Sequence, residues 1–134
     1  MRKVLVFLLI GLTTAFMACK TTGGAGGGAE MDVSFNFEAH HKCSEISPKI
    51  MVSNVPDGTR SFKVSLKDMN VPSWNHGGGT VPYDGDGVIP EGALTAGYNG
   101  PCPPSGSHVY QFTVVALDGN GNVLGQGKAK QRFP

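Results

Sequence analysis

The sequence lacks several features that would point to common functions. It contains no run of Lys or Arg, so nucleic acid and polybasic membrane contacts are not expected. No ten-residue window places apolar residues at helical spacing, which leaves strands as the expected secondary structure. The apolar run near the N-terminus, Val4 to Leu12, has the length of a signal-peptide core and is too short to span a bilayer. These absences favour an exported protein made mainly of β-strands.

The N-terminal segment resembles the signal of a bacterial lipoprotein. Arg2 and Lys3 form a basic start, and the small residue Ala18 directly precedes Cys19. In such a signal, residues 1–18 are removed and Cys19 is lipidated. An ordinary secretory signal with an incidental Cys19 is the alternative. The resemblance implies export to the bacterial cell envelope and attachment to a membrane through lipid on Cys19.

The remaining chain divides into a tether and one domain. Residues 19–31 are rich in Gly and small polar residues, which predicts a flexible tether. Residues 32–134 are long enough for a single modest core. Loss of Arg2 and Lys3 with the signal would change the formal net charge from +1 to −1.

The sequence contains three cysteines, and two of them remain if Cys19 carries lipid. An even pair in an exported protein suggests a disulfide between Cys43 and Cys102. Two buried free thiols are the alternative. A bond between these residues would tie the first part of the domain to a Gly/Pro loop in its second half.

Alternation of apolar and polar residues predicts five strands. The clearest is residues 61–68, where Phe62, Val64 and Leu66 would face the core. Between this strand and Pro104 the chain is rich in Gly and Pro and carries little strand signal, which is typical of a functional loop region. The expected class is mainly β, an antiparallel β-sandwich with few or no helices. The predicted strands are residues 32–38, 49–54, 61–68, 109–118 and 123–133, the last at a sheet edge.

A stiff loop precedes the most β-like run of the chain. Three of the five residues from Gly100 to Pro104 are proline, which fixes φ and removes amide donors. The chain then passes through Ser105 and Ser107 to His108 at the mouth of the strand. Such a loop can hold backbone groups and one side chain in the fixed arrangement that a small-ligand site needs. A plain connection, with His108 hydrogen-bonded at the strand start, is the alternative.

The chain carries a series of short motifs between Cys43 and Asp118. They are Ser47-Pro48, Val55-Pro56-Asp57-Gly58-Thr59, Asp68-Met69-Asn70-Val71-Pro72, Trp74-Asn75-His76, Pro90-Glu91-Gly92 and Gly97 to Pro104, followed by His108, Tyr110 and Ala116-Leu117-Asp118. In this order they resemble the phosphatidylethanolamine-binding protein family, in its bacterial Raf-kinase-inhibitor-like branch, and the block from Gly97 is long and specific. Asn70 stands where the family usually has a second Asp, and three glycines follow His76 where an apolar strand is usual.

The resemblance implies a β-sandwich with a pocket for a small anion, such as phosphate or a phospholipid head group. Two imidazoles and backbone amides can donate hydrogen bonds to phosphate oxygens, and a nearby carboxylate can orient a histidine and keep it protonated. No cofactor, metal or catalytic residue is implied. The ligand-binding residues carried over from the family are Asp68, His76, Gly100, Pro101, His108 and Tyr110.

Two other functions remain open from the residues alone. A hydrolase could pair Ser105 or Ser107 with His108, although the chain has no Gly-x-Ser-x-Gly nucleophile elbow. An interaction module for another envelope protein would need no working pocket at all. His40 and His41 could also bind a metal, but neighbouring residues of a strand point to opposite faces, so a solvated pair is expected. The sequence therefore predicts a binding protein for a small anion, not an enzyme.

Overall fold

The computed structural model describes residues 28–134. The predicted signal peptide, the lipidation site Cys19 and most of the predicted tether lie outside this range. No helix within residues 28–134 is long and apolar enough to cross a membrane.

The larger of the two sheets has five strands in the order β1-β8-β7-β4-β5. β7 is its central strand and lies between β8 and β4. In β4 and β7 the buried apolar residues alternate with exposed or half-buried residues, as the sequence predicts. β1 runs parallel to β8, whereas the other pairs are antiparallel. The strands are β1 (Ala29–Glu30), β4 (Ser61–Asp68), β5 (Asn75–Pro82), β7 (His108–Leu117) and β8 (Val123–Phe133).

The smaller sheet has three antiparallel strands in the order β2-β3-β6. These strands are β2 (Asp32–Phe35), β3 (Ile50–Ser53) and β6 (Val88–Ile89). Its buried side chains, such as Ile50 and Ile89, pack in the same core as those of the larger sheet. The Phe35 ring lies edge-on against the Phe112 ring at a centroid distance of 4.8 Å. The predicted mainly-β class is confirmed, and the two sheets form a sandwich around one apolar core.

Two strands lie in the Gly/Pro-rich region, where the sequence predicts none, and glycines hide the pattern of the longer one, β5. In β5, Gly78 pairs with Ser65 of β4, and a Cβ on Gly78 would lie 2.0 Å from the Val64 carbonyl oxygen. Glycine is therefore required here by close approach of two backbones, which alternation of side chains cannot reveal. β6 has only two residues and pairs with β3.

The structure also differs from the sequence predictions in the position of β8 and in the end of the tether. β8 is not at the sheet edge, because β1 pairs with it at Gly125 and Gln126. The tether prediction extended to residue 31, but Ala29–Glu30 is a strand and Met31 is buried in the core. The ordered domain thus includes residues that composition assigned to the tether.

Helical structure in residues 28–134 is limited to one 3₁₀ turn, Ala39–His41. Just after this turn, Cys43 forms a disulfide with Cys102. Cys43 adopts a left-handed conformation with φ of 50°, and its amide donates to the Pro101 carbonyl over 2.8 Å. The bond joins the 3₁₀ turn to the Gly/Pro loop, as expected if these cysteines pair.

Candidate functional site

One end of the larger sheet carries four polar side chains, which come from the end of β4 and from the starts of β5 and β7. Asp68 is the last residue of β4 and pairs in register with Tyr110 of β7, two residues from His108. His76 lies near the start of β5, the strand on the other side of β4. We call Asp68, His76, His108 and Tyr110 the strand-end cluster.

Asp68 orients His108. One carboxylate oxygen, Oδ2, lies 2.7 Å from His108 Nδ1, and the other, Oδ1, accepts from the Asn70 and Val71 amides at 2.8 and 3.0 Å. Burial alone would raise the pKa of Asp68, but the hydrogen bonds from His108 and the two amides, together with the nearby imidazole charge, lower that pKa overall. The ionised carboxylate therefore accepts a proton held on His108 Nδ1, and His108 Nε2 is left for another partner.

His76 is fixed by a backbone carbonyl. Its Nδ1 lies 2.7 Å from the Asn99 oxygen, so the ring donates from Nδ1 and Nε2 is free of this contact. The ring is buried, with 3% of the residue exposed. Trp74 stacks on it at a centroid distance of 6.3 Å, yet 58% of Trp74 is exposed. Trp74 therefore lies at the protein surface, beside the buried His76 ring.

Tyr110 stands between the two histidines. Its ring centroid is 5.5 Å from that of His76 and 6.2 Å from that of His108. Its buried hydroxyl makes no hydrogen bond of good geometry among the described residues, but it lies close to the Asp68 carboxylate and to the Cys102 backbone. Burial and the charge of Asp68 raise the pKa of Tyr110 to about 12, so the hydroxyl keeps its proton. A buried donor without a partner is costly, which makes this hydroxyl a candidate ligand contact.

The Gly/Pro loop is held by backbone hydrogen bonds and the disulfide. The Gly100 amide donates to the Ser44 carbonyl over 2.7 Å, and the Pro101 carbonyl accepts from Cys43. Gly100 tolerates no side chain, because a Cβ there would lie 2.5 Å from the His41 carbonyl oxygen. The expectation that the Gly100 amide is available to an anion is therefore corrected, since this donor is already used within the protein.

The serines next to His108 do not form a catalytic pair with it in the structure. The Ser107 hydroxyl lies 3.4 Å from an Arg132 guanidinium nitrogen. Within residues 28–134, the recorded contact of the His108 ring nitrogens is with Asp68. The geometry orients a histidine but supplies no serine nucleophile beside it.

A second group of titratable residues was not predicted from the sequence. His40 Nε2 and His41 Nε2 lie 2.5 and 2.9 Å from the same Glu91 oxygen, Oε1. Hydrogen bonds from the two histidines lower the pKa of Glu91. His41 is buried, so the expected solvated pair is wrong for this residue. We call His40, His41 and Glu91 the turn cluster. The sequence signal for this cluster is Glu91 in Pro90-Glu91-Gly92, a segment that the sequence analysis assigns only to the family resemblance.

The fold and the strand-end cluster define a β-sandwich protein with an oriented imidazole and a partnerless tyrosine hydroxyl at one end of a sheet. The sequence profile of the phosphatidylethanolamine-binding protein family matches residues 84–133. In this region the chain is similar to the phosphatidylethanolamine-binding protein family.

The chain is also similar to curated relatives and to solved structures. A UPF0098 protein of Methanothermobacter thermautotrophicus is 35% identical over 92 residues, which cover 54% of this chain and 61% of the relative. UPF0098 protein YbcL of Escherichia coli is 38% identical over 95 residues, which cover 53% of this chain and 52% of the relative. The chain thus spans about half to three-fifths of the length of these relatives.

The solved structures support the fold. CT736 of Chlamydia trachomatis, described as a homologue of phosphatidylethanolamine-binding proteins, superposes with a TM-score of 0.61 and 21% identity, over 78% of this chain and 97% of that chain. The crystal structure of YbcL, described as a member of the mammalian family, superposes with a TM-score of 0.59 and 24% identity, over 78% of this chain and 98% of that chain.

Proposed function

We propose that the protein binds a small anion, a phosphate group or a phospholipid head group, at the strand-end cluster. The observation that carries this proposal is the arrangement of His76 and His108 around the buried Tyr110 hydroxyl, which makes no hydrogen bond of good geometry among the described residues. A phosphate oxygen would accept from this hydroxyl and from the imidazoles. It would thereby satisfy a buried donor that the protein leaves unpaired.

The carboxylate of Asp68 fits this role through His108. Because Asp68 accepts from His108 Nδ1, Nε2 of this ring is left for another partner. The contact of His76 Nδ1 with the Asn99 carbonyl likewise leaves Nε2 of His76 outside that bond. Each ring can donate from Nε2 to an anion only in its doubly protonated form.

The relatives support a binding role in general terms. CT736 and YbcL are both described by reference to phosphatidylethanolamine binding, and that lipid carries a phosphate in its head group.

We further propose that the protein acts in the cell envelope, attached through lipid on Cys19. Metabolic labelling with a palmitate analogue tests the anchor, with Cys19→Ser as the unlabelled control. Label retained in Cys19→Ser would contradict it.

The binding proposal is tested by NMR titration of the protein with phosphate and with phosphoethanolamine near pH 6. Saturable shifts are expected at the rings of His76 and His108 and at the Tyr110 amide. His108→Ala should abolish them. His40→Ala is the matched control, because it removes a histidine from the turn cluster and should leave anion binding intact. An absence of shifts at millimolar ligand would contradict the proposal and favour an interaction module.

A further inference from the structure

We propose that the turn cluster, His40, His41 and Glu91, is a binding site for a zinc ion. Its candidate ligand atoms, one from each residue, lie within 4.8 Å of one another. Two imidazole nitrogens and a carboxylate oxygen are ligands that Zn²⁺ prefers, and three protein ligands leave one tetrahedral position for water. The site is separate from the strand-end cluster and shares no residue with it.

The 3₁₀ turn is what brings two neighbouring histidines to one carboxylate. On a strand their side chains would point to opposite faces, whereas successive residues of a 3₁₀ turn are separated by about 120°. The His40 and His41 ring centroids are 4.0 Å apart. The turn is closed by hydrogen bonds from the His41 and Lys42 amides to the Glu38 and Ala39 carbonyls, at 2.9 and 3.2 Å.

Glu91 is presented from a second fixed turn, directly after β6. The Gly92 amide donates to the Ser47 carbonyl over 2.8 Å, and the Ala93 amide closes the turn on the Pro90 carbonyl over 3.2 Å. The carboxylate therefore meets the histidines from a segment about fifty residues away in the chain. Both arms of the site are held by backbone contacts that do not involve the ligand atoms.

Access and shape also suit a metal ion. The side chains of His40 and Glu91 are half exposed, whereas that of His41 is 3% exposed. A groove of about 500 Å³ is lined by His41 and Glu91 together with residues of β2 and β3. An ion can enter from this groove, and the fourth coordination position can hold water there.

The protons must rearrange when zinc binds. The Glu38 amide donates to His41 Nδ1 over 2.8 Å, so the neutral ring carries its proton on Nε2 and donates it to Glu91. Coordination through Nε2 moves this proton to Nδ1, and the Glu38 amide gives up its acceptor. In His40 the corresponding proton moves to Nδ1, and the nearest Glu38 carboxylate oxygen is 3.8 Å from this nitrogen, which is beyond hydrogen-bond distance.

Calorimetric titration of the full chain with ZnCl₂ near pH 7.4 tests the proposal. Every sample carries Cys19→Ser, which removes the one cysteine outside the disulfide. We expect saturable binding of one ion, with affinity reduced at least about tenfold in His40→Asn and in Glu91→Gln. His108→Asn, which changes the same residue type in the strand-end cluster, should retain wild-type zinc affinity.

The rearrangement of protons provides a second, structural readout. In NMR spectra zinc should shift the Glu38 amide and convert the His41 ring from the Nε2-protonated to the Nδ1-protonated tautomer. Retained amide dispersion in the variants shows that they are folded. The proposal is overturned if 1 mM Zn²⁺ gives no saturable binding, if His40→Asn and Glu91→Gln bind as wild type, or if His108→Asn loses the site.

Discussion

Asp68 and His108 are 40 residues apart in the chain, yet Oδ2 of one and Nδ1 of the other lie 2.7 Å apart. The antiparallel register of β4 and β7 creates this contact, because it places Asp68 opposite Tyr110. The pair therefore joins the end of β4 to His108, a side chain that we expect to contact the ligand.

Asp68→Asn should lower the stability of the protein in a pH-dependent way. The pKa of Asp68 is lower in the folded protein than its ordinary value, so ionisation stabilises the fold above that value. The loss should be about 1–3 kcal/mol at pH 7, as for other buried charge-assisted hydrogen bonds. This stability difference between the wild type and Asp68→Asn should shrink as pH falls through the pKa that Asp68 has in the folded protein. Urea unfolding of both proteins at pH 7 and at pH 3 measures the difference and its change with pH. A stability difference that does not change with pH would contradict a lowered pKa of Asp68.

Tyr110→Phe should separate binding from stability. The hydroxyl has no hydrogen-bond partner among the described residues, so its removal should change the free energy of unfolding by less than about 1 kcal/mol. Phosphate affinity should fall about 3- to 10-fold, the value of one hydrogen bond.

Tyr98→Phe is the matched control, because its hydroxyl is also buried without a partner and its ring stacks on Phe112. It should leave phosphate affinity unchanged. Equal effects of the two substitutions on affinity would argue against a specific role for Tyr110.

Removal of the disulfide by Cys43→Ser with Cys102→Ser should destabilise the protein by about 4 kcal/mol in the chain-entropy model, given a separation of 59 residues. The Gly/Pro loop should also become more mobile, which hydrogen exchange at Gly100 would show. Cys19→Ser should have neither effect. Unchanged exchange at Gly100 would indicate that its bond to Ser44 suffices to hold the loop.

Gly78→Ala should be among the most damaging small substitutions. The added Cβ would lie 2.0 Å from the Val64 carbonyl oxygen, so β5 must move away from β4. We expect a loss of more than about 2 kcal/mol in the free energy of unfolding. Gly119→Ala is the control, because its Cβ would approach only an Arg60 side-chain carbon at 3.8 Å. Similar melting temperatures for the two variants would contradict the proposed close approach.

The sequence predicts the parts of this fold that depend on side-chain alternation. β4 has the bounds that its pattern indicates, and β7 and β8 lie within a residue of theirs. β5 is missed because its glycines serve the contact between backbones, which leaves no side-chain pattern. The order of family motifs singled out Asp68, His76, His108 and Tyr110, which do lie together.

Other features of the sites depend on contacts that one sequence does not display. The Asn99 carbonyl that fixes His76 is a backbone group, which any residue could supply. The turn cluster was missed because His40 and His41 were assigned to strand geometry, whereas the chain forms a 3₁₀ turn there. Glu91 is distant from both histidines in the chain, and only the folding of the chain brings its side chain next to them.

The Phe37 ring lies between the two clusters, 6.2 Å from the His41 ring and 6.0 Å from the Tyr110 ring by centroid distance. The Phe37 ring is buried in a close-packed core, so a shift toward the His41 ring would change its contact with the Tyr110 ring. Thermodynamic reciprocity then constrains the two proposed ligands. Whatever factor zinc applies to phosphate affinity, phosphate must apply to zinc affinity, so a single pair of titrations measures the coupling free energy in both directions.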